Sequence, residues 1–223
     1  MSFRLFGFPV TIQGSFLVVI AVLGFISFPE QLDRVIAFVA IAVVAVLIHE
    51  FGHAFAARSQ GTQGTPSISL EGMAGLTRYR LAAPPSRVQS VFISFAGPLA
   101  GIILGFVLVG VWWSGVVEST PLTRDLFNIG YFTTFVWSAF NLMPIVPLDG
   151  GHIMTDLLPG SVPVRRRRAA IVSIVVAVVA GALLWWWLRL LFAPVILGMM
   201  AFQNYSSLSA SRRAPQAPQS FGP

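Results

Sequence analysis

The sequence predicts an all-α, polytopic membrane protein with about six transmembrane helices and a small membrane-associated β-hairpin or sheet between helices 2 and 3. Of its 223 residues, 56% are hydrophobic and 10% are charged, whereas an ordinary soluble domain has roughly 45–50% and 25%. Glycines and prolines lie within the apolar stretches, as in transmembrane helices that pack closely and break where they line a site. These observations indicate an integral membrane protein.

Six apolar stretches are candidates for membrane spans. They cover residues 14–28, 35–57, 88–113, 127–143, 169–188 and 190–205. The first and last are shorter than the ~20 residues of a full span. One helix over residues 169–205 would be about 55 Å long, which exceeds the ~30 Å hydrocarbon core. We therefore expect a turn near Arg189 and Pro194.

The arginines predict the orientation. An even number of spans puts both termini on one side, and eleven arginines fall on that side against three opposite. The positive-inside rule then makes both termini cytoplasmic, and we expect a multi-pass protein of a prokaryotic cell (inner) membrane. The Arg165–Arg168 run is interpreted as an anchor on anionic lipid, with a regulatory contact as the alternative. Because the arginines lie in short loops beside apolar spans, no nucleic-acid partner is expected.

An HExxH motif, His49-Glu50-Phe51-Gly52-His53, ends the second apolar stretch. On a helix, the two histidines project from one face and can share one Zn²⁺. A carboxylate near the bilayer centre costs roughly 2.5–3.5 kcal/mol, and metal-assisted hydrolysis gives Glu50 a role that compensates for this cost. The chain has no cysteine, which excludes thiolate catalysis and cysteine-ligated metal sites.

A catalytic zinc normally takes three protein ligands, and Asp149 is the candidate for the third. Pro144 and Pro147 prevent a regular helix before it, and Gly150-Gly151 permits unusual backbone dihedrals after it. We therefore expect an unwound segment that turns Asp149 toward the metal. His152 is assigned a supporting or interfacial role, because a catalytic zinc needs an open position.

Asn141 precedes Asp149 by eight residues. Its amide is a candidate donor to the oxyanion of a tetrahedral intermediate. The small residues 96–101 are interpreted mainly as a helix-packing seam rather than as catalytic residues.

Residues 65–79 alternate in polarity around a glycine-bearing turn, which predicts a β-hairpin. Residues 3–12 are a candidate for another short strand. An extended peptide can add to the edge of such a hairpin by backbone hydrogen bonding. On this basis the predicted substrate-binding residues are Ile68, Ser69, Leu70, Gly72 and Gly75. The alternative is an exposed connecting loop.

Three segments together carry a resemblance: HEFGH, then FAGPLAG over residues 95–101, then the NxxPxxPLDGG pattern over residues 141–151. Across residues 6–153 the chain resembles the site-2 protease family of intramembrane zinc metalloproteases. The resemblance implies a three-helix catalytic core, zinc held by His49, His53 and Asp149, Glu50 as general base and acid, and Asn141 near the substrate.

The chain departs from the family at two positions and in its length. Many members have an asparagine at the position of Gly101 and a histidine at that of Gln13, so the resemblance assigns no such side chain at these two positions. No length remains for PDZ or CBS domains, which predicts a minimal form. We expect one membrane-embedded protease domain over residues 1–208, with its catalytic core at about 35–153 and a disordered tail at 209–223.

The function that these features favour is a zinc metalloendopeptidase acting within or near transmembrane segments, with Zn²⁺ as its cofactor. Its expected substrate is a single-span membrane protein or peptide in the lipid bilayer. A catalytically silent membrane scaffold and a metal-ion transporter are the alternatives, and the sequence leaves the oligomeric state open.

Overall fold

The computed structural model describes residues 1–189 and 192–213. The chain divides into two compact units, Met1–Leu142 and Met143–Pro223, where the sequence analysis predicts a single domain. The first unit contains the sheet and the HExxH helix, and the second contains three further helices.

The first unit begins with two strands and two helices and continues through a hairpin into a helical region. In chain order its elements are β1 (Ser2–Leu5), β2 (Phe8–Ile12), α1 (Gly14–Ser27), α2 (Leu32–Ser59), β3 (Ser67–Glu71), β4 (Ala74–Arg78), α3 (Arg87–Trp113), α4 (Pro121–Tyr131), a π-helix (Phe132–Val136) and α5 (Trp137–Asn141). The fourth predicted span is thus helical but contains a π-helical turn.

The four strands form one sheet in the order β1-β2-β3-β4. The predicted hairpin is confirmed as β3 and β4, in which Ser67 pairs with Arg78 and Glu71 with Ala74. The prediction of one short strand over residues 3–12 is wrong, because two residues with positive φ, Phe6 and Gly7, turn the chain there. Such dihedrals are typical of tight hairpin turns. The segment therefore forms two antiparallel strands, β1 and β2.

The sheet joins two distant parts of the chain, because β2 runs parallel to β3 with Val10 opposite Ile68. Alternate residues of these strands point into one apolar core. That core also includes side chains of α1 and α2; its members are Phe8, Val10, Ile12, Phe16, Ile20, Ala42, Phe51, Ala54, Ile68 and Leu70. The sheet is thereby fixed against the helix that carries the HExxH motif.

Glycines at every fourth position of α3 allow its neighbours to approach closely. A Cβ at Gly101 would collide with the Ser138 hydroxyl of α5, and one at Gly105 with Phe135 of the π-helix. Small residues at helix contacts are typical of membrane proteins, where close backbone packing drives association. The interpretation of residues 96–101 as a packing seam agrees with these contacts.

The second unit contains α6 (Asp149–Leu157), α7 (Val162–Leu188) and α8 (Phe192–Arg213). The predicted turn near Arg189 is confirmed, because Arg189 ends α7 in a left-handed conformation with a φ of 53°. Helix α7 starts seven residues before the predicted span, so Arg165–Arg168 lie on a helix rather than in a loop. Helix α8 includes residues 209–213, which the sequence analysis places in a disordered tail; residues 214–223 lie outside the described part of the chain.

Three of the described helices, α2, α3 and α7, are long and apolar enough to cross a membrane, with mean hydropathies of 2.4, 2.3 and 2.4. Helix α1 is apolar but shorter. These helices support an integral membrane protein. The count of six spans stays a prediction.

Candidate metal centre

Helix α2 brings His49, Glu50 and His53 together in a buried cluster. Their exposed fractions are 7%, 5% and 8%, and one potential ligand atom from each lies within 4.8 Å of the others. The Nε2 atoms of the two histidines are 3.2 Å apart. Two imidazole nitrogens facing each other at this distance are suited to a shared cation, so the donor set fits a zinc ion.

Helix α3 holds His53 from the side. The Nδ1 atom of His53 lies 2.7 Å from the carbonyl oxygen of Ile93, and donation of the Nδ1 proton to that carbonyl leaves the Nε2 lone pair for a metal. A Cβ on Gly97 would be 2.7 Å from His53 Cδ2. Gly52 of the motif allows α3 to pack closely against α2, because a Cβ at position 52 would be 2.8 Å from the Ala96 carbonyl carbon. The packing seam therefore also orients a candidate ligand.

Strand β4 covers Glu50. The Thr77 hydroxyl lies 2.7 Å from Glu50 Oε2 and 3.0 Å from the Glu50 backbone oxygen. Two residues earlier, Gly75 passes so close that an added Cβ would be 2.6 Å from Glu50 Cδ. Sequence reasoning missed Thr77 as a site residue. The sequence feature that could have identified Thr77 is its position two residues after Gly75, because residues two apart on a strand lie on the same face.

The prediction that β3 binds substrate is wrong, because β3 is paired on both edges, with β2 and with β4. Ile68 and Leu70 are 1% and 0% exposed and belong to the core, and the Ser69 hydroxyl lies 3.4 Å from Glu71 Oε2. A central strand has no free edge for another peptide.

Gly72 and Gly75 are the other two residues predicted to bind substrate. The structure places Gly72 in a turn and Gly75 against Glu50. Gly72 occupies the β3–β4 turn with a φ of 58°, and its N–H lies 3.3 Å from the Ser15 hydroxyl. Gly75 lies against Glu50. Gln13 donates to Glu71 Oε2 at 2.6 Å, so it links the start of α1 to the hairpin.

Asn141 is the last residue of α5, and its amide donates to the Trp137 carbonyl at 3.2 Å.

Asp149 belongs to the second unit, where it is the first residue of α6. The predicted interruption is present over residues 142–148, but Gly150 and Gly151 are helical. A glycine is needed at position 151 because the Ile145–Val146 backbone leaves no room for a Cβ. His152 is exposed.

Comparison with models of protein families shows to which family this chain belongs. A family model described as Peptidase M50B-like matches residues 16–148, which is more than half of the chain. The chain belongs to the M50B-like peptidases. A second model, Peptidase family M50, matches residues 116–183 of this M50B-like peptidase.

Two curated relatives match parts of this M50B-like peptidase. It is 26% identical to the zinc metalloprotease MJ0392 of Methanocaldococcus jannaschii over 161 residues, which cover 70% of this chain and 44% of the relative. It is 35% identical to the putative zinc metalloprotease YwhC of Bacillus subtilis over 83 residues, covering 34% and 38%. The chain thus spans less than half of the length of these relatives.

Among solved structures, the site-2 protease from Methanocaldococcus jannaschii has a similar fold, with a TM-score of 0.61 and 21% sequence identity. The match covers 93% of this chain and 94% of that one. The M50B-like peptidase therefore has the fold of that protein.

Proposed function

We propose that this M50B-like peptidase is an intramembrane zinc metalloprotease that hydrolyses peptide bonds within or near transmembrane segments. The observation that carries the proposal is the buried cluster of His49, Glu50 and His53 in a helix apolar enough to cross a membrane. A carboxylate and two imidazoles in such a helix are costly unless they have a function. A metallopeptidase requires this combination of two neutral ligands and one proton carrier.

His49 and His53 would hold the zinc through their Nε2 atoms, and we assign the third ligand to Asp149 from the resemblance of residues 141–151 to the family. When bound, the zinc supplies Lewis acidity that makes water a nucleophile at neutral pH and polarises the scissile carbonyl. The bond from His53 to Ile93 keeps the imidazole in the tautomer that can bind a cation.

Glu50 carries the proton. Its carboxylate takes a proton from the attacking water and delivers it to the nitrogen of the leaving amine, so that one water adds across one peptide bond. The Thr77 hydroxyl, 2.7 Å from Oε2, keeps the carboxylate in one orientation during both transfers. For the oxyanion we assign Asn141, whose amide has two N–H donors, one of them directed at Trp137.

The proposed substrate is a single-span membrane protein or peptide, which must be extended before it can be cut because helical peptide bonds are protected. Strand β4 is the place where such a peptide can add. Among the described strands it pairs only with β3, which leaves its outer edge open, and its Gly75 and Thr77 contact Glu50. We further propose a multi-pass arrangement in the cell membrane with both termini cytoplasmic.

Cleavage of a panel of single-span segments in detergent tests the activity. We expect cutting by the wild-type protein that stops with a chelator, returns with added zinc, and is lost in Glu50→Gln although zinc is still bound. Absence of stoichiometric zinc in the purified protein would contradict the proposal in favour of a membrane scaffold. Cutting that persists in Glu50→Gln would contradict the role of Glu50.

Cross-linking tests the docking edge separately. Because the chain has no cysteine, Leu76→Cys places a single thiol on β4, where the side chain is 42% exposed. We expect disulfides with single-cysteine substrates at every second substrate position, the periodicity of a strand. The control is Ile103→Cys on α3, which is 54% exposed. Equal cross-linking at all substrate positions, or equal cross-linking to the control, would overturn strand addition.

A further inference from the structure

Two buried polar side chains in the second unit bind the backbone of the same residue, Val146. The Val146 N–H donates to the Ser173 hydroxyl of α7 at 2.9 Å, and the Val146 carbonyl accepts from the Asn204 amide of α8 at 2.6 Å. The exposed fractions of Ser173 and Asn204 are 0% and 4%. We propose that these two residues form a clamp that positions Asp149 for zinc; this inference rests on the proposed function, in which Asp149 is the third ligand.

The segment before Asp149 needs such a clamp. Pro144 and Pro147 prevent residues 142–148 from continuing a helix, so their backbone groups have no regular helical partners. In an apolar environment unpaired peptide groups are strongly disfavoured. The clamp supplies an acceptor for the Val146 N–H and a donor for the Val146 carbonyl. Val146 lies three residues before Asp149, and three residues of chain span at most about 10–11 Å.

Both N–H groups of the Asn204 amide donate hydrogen bonds. Its second N–H donates to the Met200 carbonyl one turn earlier at 2.8 Å, which fixes the amide plane so that the first N–H points at Val146. Among the described residues of the second unit, Ser173 and Asn204 are the buried polar side chains. Both bind the backbone of Val146, which indicates that α7 and α8 hold the segment that leads to Asp149.

A third restraint comes from α6 itself. A Cβ at Gly151 would lie in the backbone of Ile145 and Val146, so the helix that begins at Asp149 packs directly on the clamped peptide. Ile145 is 0% exposed. The start of α6, and with it the carboxylate of Asp149, is therefore tied to α7 and α8 through Val146.

Zinc affinity is the readout that separates positioning from a purely structural role. We expect Ser173→Ala and Asn204→Leu each to weaken zinc binding by up to about 10- to 100-fold, the range found when a residue that supports a metal ligand is lost. Gln203→Leu is the matched control, because it removes the same kind of polar group from an exposed neighbour on α8. Competition with a chromogenic chelator measures the affinity, and thermal unfolding of the metal-free proteins establishes that each variant is folded.

Hydrogen exchange gives a second, metal-independent readout. In metal-free protein, Ser173→Ala should speed amide exchange in residues 142–148, because it removes the acceptor of the Val146 N–H. Should Asn204→Leu fail to fold, the milder Ser173→Ala still tests the clamp through both measurements.

An Asp149→Ala variant separates this inference from the proposed function. If Asp149→Ala loses zinc affinity while Ser173→Ala and Asn204→Leu keep that of the wild type, the clamp is refuted and the ligand set stands. If Gln203→Leu weakens binding as much as Asn204→Leu, the clamp is refuted as well, since general packing of α8 would explain both. If Asp149→Ala binds zinc normally, the ligand set of the proposed function is wrong.

Discussion

Replacing Gly97 by alanine should weaken zinc binding although no proposed ligand is itself replaced. The new Cβ would be 2.7 Å from His53 Cδ2 and 2.5 Å from Cε1, closer than carbon atoms approach in proteins. The imidazole cannot turn away freely, because its Nδ1 atom is bonded to Ile93 at 2.7 Å. The clash therefore either breaks that bond or moves α3 away from α2.

Gly110→Ala provides the reference on the same helix, since nothing lies within 4 Å of a Cβ at that position. Both substitutions gain about 1 kcal/mol of helix propensity, so their difference isolates the collision. Overpacking costs about 1–3 kcal/mol, and a displaced ligand lowers zinc affinity by about 10- to 100-fold. We expect Gly97→Ala to unfold at a lower temperature than Gly110→Ala. We also expect it to bind zinc about 10- to 100-fold more weakly than Gly110→Ala does.

The assays are thermal unfolding of the metal-free proteins and chelator competition in detergent. Gly97→Ala with the zinc affinity of the wild type and the unfolding temperature of Gly110→Ala would refute the argument that α3 orients His53. A loss of zinc affinity in Gly110→Ala of the same size would refute it too, because general loosening of α3 would then be responsible.

Three further predictions concern Glu50 and the hairpin. Gly75→Ala should abolish cleavage yet keep zinc, because its Cβ displaces the Glu50 carboxylate rather than a ligand; loss of zinc would contradict this. Thr77→Val should lower kcat with little change in KM or zinc content, and Thr77→Ser, which keeps the hydroxyl, should restore most of the rate; failure of serine to do so would indicate packing instead. Glu71→Gln removes the charge paired with Arg78 at 2.9 Å, and because such exposed pairs contribute about 0–1 kcal/mol, we expect a melting temperature close to that of the wild type; a large drop would show that the pair holds the hairpin.

Much of the cluster of His49, Glu50 and His53 could be predicted from the sequence, because it depends on local geometry. The spacing of His49 and His53 places both rings on one helix face whatever the rest of the chain does. The turn at Arg189 likewise follows from length, since one helix would overrun the bilayer. The β3–β4 hairpin has a turn of two residues and an alternating pattern, both of which are local signals.

The failed expectations depend on partners far away in the sequence. The pattern of Ile68 and Leu70 is the same for an edge strand and for a central one, and only the pairing with β2, from residues before α1, makes β3 central. The Gly150-Gly151 pair was interpreted as a break in the helix, whereas Gly151 is needed for contact with Ile145. Thr77 contacts a residue 27 positions earlier in the chain.

One missed boundary had a local signal. Helix α7 begins after an N-terminal capping residue, Ser161, with a proline in its first turn, a combination typical of helix starts. The apolar pattern begins only at Ala169, because four arginines occupy the turns between. A search for apolar residues alone places the start too late.

The parallel pairing of β2 with β3 has a consequence for how the protein is made. Val10 and its partner Ile68 are separated by both α1 and α2, so β2 leaves the ribosome long before β3 exists. At ~5–20 residues per second the delay is several seconds, during which β2 has only β1 to pair with. The β2–β3 pairing can form only after α1, α2 and β3 have all been made, and β4 can cover Glu50 only after that. Glu50 therefore stays without its contact to Thr77 until residues 74–78 have been made.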